Sequence, residues 1–324
     1  MKHFLKHDFL RGFEADEPKT SGFFKLQKIR TKKKSMLQKV PKVIVILGQT
    51  ATGKSALAVK IALRLRRGQA KKNGGEIISA DSRQVYKGLD IGTGKITTKE
   101  MKGVPHHLLD VANPKKQFSI ALYKKLAEEK IEEIIARGKT PIICGGTGFY
   151  IDAITKGIIF PEVPPNIKLR KILSKKSELQ LFKILQKLDE RRAQNIDPEN
   201  KVRLIRAIEI VKALGKVPPI TEITPRYKFI KIGLYLPTDK LKNKVEKRVK
   251  EMFKAGLLNE IKKLKKPARL GGAGLSNKRL SELGFEYFNP TYGKVVKGTL
   301  QYAKRQMTWF KRDKEIKWFD ASKK

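Results

Sequence analysis

The sequence predicts an α/β fold, a parallel sheet with helices on both faces, plus a small all-helical insertion domain. Three observations carry it. A continuous apolar run, Val43-Ile44-Val45-Ile46-Leu47, leads through a glycine-rich turn into a helix with apolar periodicity. Two more short apolar runs, residues 76–80 and 140–144, alternate with helical stretches, the pattern of βαβ units. Beyond Pro161 the chain becomes polar and helical, punctuated by Pro164, Pro165 and Pro198.

The elements follow in order. Residues 43–47 are β-branched without alternation, as a strand buried on both faces requires. The first helix spans residues 55–66, and residues 76–80 form the second strand. A helix over 119–137 stops at Gly138, and the third strand, 140–144, runs into Gly145-Gly146. A helical stretch continues to about Asn195, a long helix follows Pro198 and ends near Gly215, and residues 227–236 read as another strand. The remainder is mostly helical and basic. The organisation is a basic, disordered leader over 1–38, the first part of the core over 39–155, the helical insertion over 156–200, and the rest of the core with basic C-terminal helices over 201–324. Met36, just before the first strand, offers an alternative start.

Composition narrows the class. With 73 Lys+Arg against 31 Asp+Glu the 324 residues carry +42, a field that attracts polyanions, unless it reflects only a lysine-rich background. The 40% hydrophobic content suffices for a core. No apolar run reaches the roughly 18 residues of a membrane helix. The single cysteine, Cys144, can form neither an internal disulfide nor a multi-cysteine zinc site. With no signal-peptide pattern at the start, a cytoplasmic protein is expected.

The turn after the first strand is Gly48-Gln49-Thr50-Ala51-Thr52-Gly53-Lys54-Ser55, which fits G-x-x-x-x-G-K-[ST] in the strand–helix context that motif needs. Its amides point at phosphate oxygens, the helix adds its positive end, Lys54 supplies a point charge, and the Ser55 hydroxyl is placed for Mg²⁺. The fold is therefore P-loop NTPase-like. An ordinary nucleotide-hydrolysing relative would carry an acid at the end of a buried strand; residues 141–148 contain none. At the end of the second strand Asp81 faces the ligand crevice, either as a turn aspartate or, with Ser82, Arg83 and Gln84, as part of a base- or sugar-recognising cluster.

These residues resemble the tRNA dimethylallyltransferase family. The matching stretches are the phosphate loop, ISADSRQVYKGLDIGTGK (78–95), PHHLLDV (105–111), PIICGGTGFY (141–150), RLIRAIE (203–209) and QYAKRQMTWFKRD (301–313). The resemblance implies transfer of a dimethylallyl group from its diphosphate to N6 of the adenosine beside the tRNA anticodon. It implies that the loop 48–55 and Arg248 bind diphosphate with Mg²⁺, that Asp81 is the general base, and that Thr147 lies in the reaction channel. Residues Asp81, Ser82, Arg83, Gln84, Val202, Arg203, Leu204, Ile205, Arg206, Gln301, Arg305 and Gln306 would contact the anticodon stem-loop, as would the insertion. A monomer acting without a membrane is implied. The chain departs from the family pattern at Gln49 in place of proline, at Gly94 and Ile96, in residues 195–200, and in 281–285. Trp309 and Phe310 read as core, and His106 and His107 as turn residues or diphosphate-side contacts. The alternatives are a P-loop kinase of a small metabolite or nucleotide and a non-catalytic RNA-binding relative.

Overall fold

Strand β1 (Lys42–Gly48) sits inside a six-stranded sheet of order β3-β2-β4-β1-β7-β8, and its sequence explains why. Val43, Val45 and Leu47 enter one apolar cluster while Ile46 enters another on the opposite face, so neither face tolerates a polar residue. The computed structural model describes residues 40–67, 74–267 and 274–323; the basic leader lies outside them. The strands are β2 (Gly75–Ala80), β3 (His106–His107), β4 (Thr140–Gly145), β7 (Lys228–Tyr235) and β8 (Lys317–Asp320), and every pairing in the sheet is parallel. Helix α1 (Lys54–Arg67) covers one face through Ala58, Val59 and Ala62. Helices α3 (Ile120–Ala136) and α4 (Gly148–Thr155) cover the other, with Tyr123 and Tyr150 stacked at 3.8 Å between ring centres. A short helix α2 (Thr98–Met101) precedes β3. Ser119 caps α3, and Gly138 follows it at φ 70°, the left-handed stop read from the sequence.

The insertion is bracketed by a two-stranded antiparallel ribbon, β5 (Ile158–Ile159) with β6 (Thr221–Glu222). Between them lie α5 (Ile167–Leu173), α6 (Glu178–Leu188), α7 (Glu190–Gln194) and α8 (Lys201–Leu214), with N-caps Asn166, Ser177, Asp189 and Asn200. One apolar cluster joins them, from Val163 and Leu173 to Leu204, Ile208 and Val217. The insertion therefore does not end at residue 200. The long helix placed in the resumed core is its central packing element, because the face with Leu204, Ala207, Ile208 and Val211 has only α5–α7 to cover it. Buried Glu209 ties it further, accepting from Arg170, Arg206 and the Asn166 amide.

The chain returns through β7 to α9 (Thr238–Lys254), α10 (Leu257–Lys265), α11 (Asn277–Leu283) and α12 (Tyr292–Phe310) before β8. Buried Lys231 on β7 reaches Asp313 at 2.7 Å and Glu315 at 2.8 Å, which fixes the turn into β8. No helix among the described residues is long and apolar enough to cross a membrane.

His106 and His107 are neither turn residues nor near the phosphate loop. They form edge strand β3, and His107 Nε2 lies 2.7 Å from Glu76 Oε2. Glu76 is 3% exposed on β2 and also accepts from Lys139 and Arg137, at 2.7 and 2.8 Å. Burial pushes its carboxyl up, but the hydrogen bonds from Lys139, His107 and Arg137 outweigh burial and hold it at about 2, against an ordinary 4.5. A depressed folded-state value stabilises the fold above the unfolded value, and the gain vanishes as pH falls through the folded one. Glu76→Gln is expected to cost about 2–3 kcal/mol at pH 7. In chemical denaturation series the gap to the wild type should close between about pH 4.5 and 2; a constant gap would contradict the linkage.

Candidate active site

The phosphate loop occupies residues 48–54 between β1 and α1, and its shape follows from three residues. Gly48 has φ 129° and lies so close to β7 that a Cβ would stand 2.1 Å from the Leu234 carbonyl oxygen. Ala51 and Gly53 also take positive φ, 62° and 86°, the left-handed conformation that turns successive amides inward. Gln49, where the family has proline, uses what proline lacks. Its amide donates to the Leu234 carbonyl at 3.3 Å and its side-chain oxygen accepts from the Leu236 amide at 3.1 Å. Thr52 Oγ1 donates to the Gln49 carbonyl at 2.7 Å, and Lys54 Nζ folds back to the same oxygen. Burial pulls the Lys54 ammonium down to about 8. Its charge is thus poorly solvated, and an incoming anion restores what water does not supply. Ser55 is exposed in the first turn of α1, a helix with no acidic residue there.

Asp81 stands at the end of β2, beside that loop. Its Oδ1 accepts from the amides of Arg83 at 2.9 Å and Gln84 at 3.3 Å, so it is the turn aspartate; the same bonds leave Oδ2 for the cleft. Thr147 starts α4 without capping it. Its Oγ1 instead accepts from the Ser82 amide at 3.0 Å, and its own amide donates to the Ala80 carbonyl at 3.1 Å, so the ends of β2 and β4 are stapled together. Gln306 on α12 adds a third tie, accepting from the Thr50 amide at 2.8 Å and donating to the Gly146 carbonyl at 2.9 Å. One loop amide is thereby spent on the scaffold.

Another part of the wall is built by the segment 89–94, within the matching stretch 78–95. Glu260 on α10, 9% exposed, organises it. Its carboxylate accepts from the amides of Asp90, Ile91 and Gly92 at 3.1, 2.7 and 3.1 Å, and from Tyr287 Oη at 3.0 Å. The carbonyl of Thr93, so fixed, accepts from Arg248 Nη2 at 3.1 Å, and the guanidinium lies against Gly94, where a Cβ would meet it at 2.0 Å. Glycine in place of alanine at 94 makes that approach possible.

Loop, Asp81, Arg83, Gln84, Arg248, Tyr302 and Gln306 together line one cleft of about 730 Å³, joined by the apolar side chains of Val59, Leu63 and Met252. Glu286 also lines it, and burial pushes that carboxyl up to about 7. Burial, reinforced by nearby Asp81, holds the Tyr302 phenol above its usual range. No group of three or more His, Cys, Asp or Glu side chains that could hold a metal ion occurs among the described residues.

The sequence-predicted site residues divide. The loop, Asp81, Arg83, Gln84 and Arg248 converge on the cleft, whereas Ser82 and Thr147 are bonded to each other and are not among its lining residues. Val202 is 75% exposed and Arg203 exposed, but on α8, which does not line the cleft. Leu204 has no exposed surface and cannot touch an RNA, since it packs the insertion core; Ile205 packs against the same core, and Arg206 is held by Glu209 and the Val163 carbonyl. Gln301 and Arg305 are exposed, the Arg305 guanidinium 5.9 Å from the Tyr302 ring centre. Gln306, 5% exposed, is structural rather than a surface contact. Phe310 is buried and Trp309 packs on the core with its indole N–H donating to Asp152, as core residues. Glu260 and Glu286 were missed, because neither sits in a motif that assigns it a partner.

Comparison with known proteins gives one family. The model described as IPP transferase matches residues 84–313. A curated tRNA dimethylallyltransferase of Halothermothrix orenii is 38% identical, covering 86% of this chain and 88% of its own length. That of Caldanaerobacter subterraneus subsp. tengcongensis is 39% identical, over 86% and 91%. Among solved structures, the full-length tRNA isopentenylpyrophosphate transferase of Bacillus halodurans is 35% identical, with TM-score 0.58 over 86% of this chain and 90% of that one. A eukaryotic dimethylallyltransferase described as acting on tRNA is 28% identical, with TM-score 0.73 over 87% and 74%.

The cleft carries its own pH dependence. Glu286 ionises as pH rises through about 7, adding a negative charge to a cavity lined by Lys54 and Arg248. Anion affinity should fall more steeply across that range in the wild type than in Glu286→Gln, where only Lys54 loses its charge, near 8. Calorimetric titration with inorganic diphosphate should find equal affinities below about pH 6 and a variant a few-fold tighter above about pH 8. A ratio that does not change with pH would refute this.

Proposed function

Because the chain belongs to the IPP transferase family, that of the tRNA dimethylallyltransferases, we propose that it transfers a dimethylallyl group from dimethylallyl diphosphate to N6 of the adenosine adjacent to the tRNA anticodon. The observation that carries the reading is the pairing of an anion cradle at 48–54 with a carboxylate oxygen at Asp81 across one cleft. An ATP-hydrolysing site would also need an acid at the end of β4. Here β4 ends Cys144-Gly145 and runs into Gly146, with no acid.

In this reading the loop amides, Lys54 and Arg248 bind the diphosphate, and Lys54 exchanges the Gln49 carbonyl for a phosphate oxygen. The adenine is extruded from its loop into the cleft, as enzymes acting on a base require. N6 attacks C1 of the dimethylallyl group while the C1–O bond breaks and diphosphate leaves with the electron pair. The cationic wall neutralises the charge that develops on it. Asp81 Oδ2 takes the N6 proton; its orientation is set beforehand by the Arg83 and Gln84 amides, so little reorganisation remains for the transition state. Val59, Leu63 and Met252 exclude water from the prenyl chain, which protects the allylic carbon from hydrolysis. The exposed Ser55 hydroxyl is a hard oxygen donor beside the cradle and fits Mg²⁺, an ion that takes few protein ligands and most of its shell from phosphate and water. When bound, that ion supplies further charge neutralisation to the leaving group.

Incubation with dimethylallyl diphosphate, Mg²⁺ and unmodified tRNA, followed by mass analysis of the nucleosides, should show prenylated adenosine. ATP turnover without prenylation would support the kinase reading, and neither product a silent RNA-binding relative. Asp81→Asn should lower kcat by roughly 10²–10⁴-fold with tRNA affinity retained. Lys54→Ala should chiefly raise KM for the diphosphate substrate, by roughly 10-fold or more. Normal turnover in the first variant would remove Asp81 as base.

A further inference from the structure

The turn at 90–94 is wrapped around a carboxylate. The amides of Asp90, Ile91 and Gly92 converge on Glu260, and Tyr287 Oη donates to the same group. Successive amides aimed at one anion make a nest, a device that elsewhere holds phosphate; here the anion belongs to the fold. Gly92 permits the closure, since a Cβ there would stand 2.6 Å from the Tyr287 ring. Lys95 holds the other end of the turn. Its Nζ reaches Asp90 and Asp110 at 2.6 Å each and the Tyr86 carbonyl at 3.0 Å. Glu260 itself is not among the residues that line the cleft.

With three amides committed to Glu260, the next two carbonyls of the turn are left for the cleft side. The Thr93 carbonyl accepts from Arg248 Nη2 at 3.1 Å and from Gln84 Nε2 at 3.4 Å, and the Gly94 carbonyl accepts from the same Gln84 nitrogen at 3.4 Å. Arg248 comes from α9 and Gln84 from the turn after β2, and both line the cleft. Two side chains from distant elements therefore take their positions from one stretch of backbone. Rigid peptide planes carry the order from amides 90–92 to carbonyls 93–94. A glutamine in place of Glu260 would keep one acceptor oxygen but turn an NH₂ group toward donors that need an acceptor.

We propose that Glu260 is a positioning residue for the anion site, holding Arg248 through the Thr93 carbonyl in the place where diphosphate binds. The proposal rests on the reading of the cleft as a diphosphate site, and its test keeps the two apart. Calorimetric titration with inorganic diphosphate is run on the wild type, Glu260→Gln, Arg248→Gln and the double variant. Glu260→Gln should weaken binding by roughly 10-fold, as a charged contact is misplaced. In the Arg248→Gln background the same change should cost no more than about 2-fold, because the side chain it positions is gone. A role in stability alone would lower resistance to denaturant and leave that coupling at zero. Should Glu260→Gln fail to fold, Tyr287→Phe removes one of the four donors instead. It should weaken diphosphate binding by roughly 3-fold, again only where Arg248 is present. If Arg248→Gln weakens binding while the Glu260 or Tyr287 variant does not, or if the two losses add, the proposal is overturned and the diphosphate reading stands. If Arg248→Gln leaves affinity unchanged, Arg248 has no part in diphosphate binding, and the proposal falls together with that part of the functional reading.

Discussion

The carboxamide of Gln306 holds the ligand side of this molecule together. It accepts from the Thr50 amide and donates to the Gly146 carbonyl, so that α12, the last helix of the chain, grips both the phosphate loop and the end of β4. Parallel strands leave such loops free at their carboxyl ends, and a free glycine-rich loop would spend its binding energy on ordering itself. The pin removes that cost by giving up one amide. It also sets where α12 lies, and with α12 come Thr299 and Tyr302 in the cleft and Lys297 and Gln301 outside it. An amide side chain suits the task because it donates and accepts at once; a glutamate would face the Gly146 oxygen with no proton to give.

Charge is distributed by the same economy. Several of the few acidic residues point inward. Glu76 satisfies a lysine, an arginine and a histidine, Glu209 two arginines and an amide, Glu260 three amides and a phenol, and Asp189 the amides of Arg192 and Val217. Each is buried and bonded, as a buried carboxylate must be. Even with these acids counted, the sequence carries +42. Such a field speeds encounter with a polyanion and makes affinity depend on salt, while recognition is left to the cleft and its rim.

The sheet, the phosphate loop and the stop at Gly138 were legible in the sequence, since each has a local cause: β-branched runs, positive-φ positions, a left-handed cap. Asp81 was legible as the end of a strand, and of its two readings the structure shows the turn, with Oδ1 accepting from two amides. What could not be read was set by partners far along the chain. Glu260 looks like one more acid on a basic helix until the amides of 90–92 meet it. Leu204 lies in a stretch that matches the family, yet its face is apolar because α5–α7 lie over it, which also moved the insertion boundary to the ribbon at Thr221–Glu222. Edge strand β3 has two residues, too few for any periodicity to announce it.

The strand order has a consequence for biosynthesis. β1 is hydrogen-bonded on one side to β4 and on the other to β7, and β7 in turn waits for β8 at residues 317–320. The insertion, by contrast, closes its own apolar cluster from contacts among residues 163–217. On a ribosome the insertion can condense while β1 still lacks β7 on one edge, and β7 in turn lacks β8 until residues 317–320 emerge. Long-range parallel pairing is the slow part of folding and the part most exposed to aggregation. The helical module closes on local contacts, whereas the cleft needs strands and helices from both ends of the described chain.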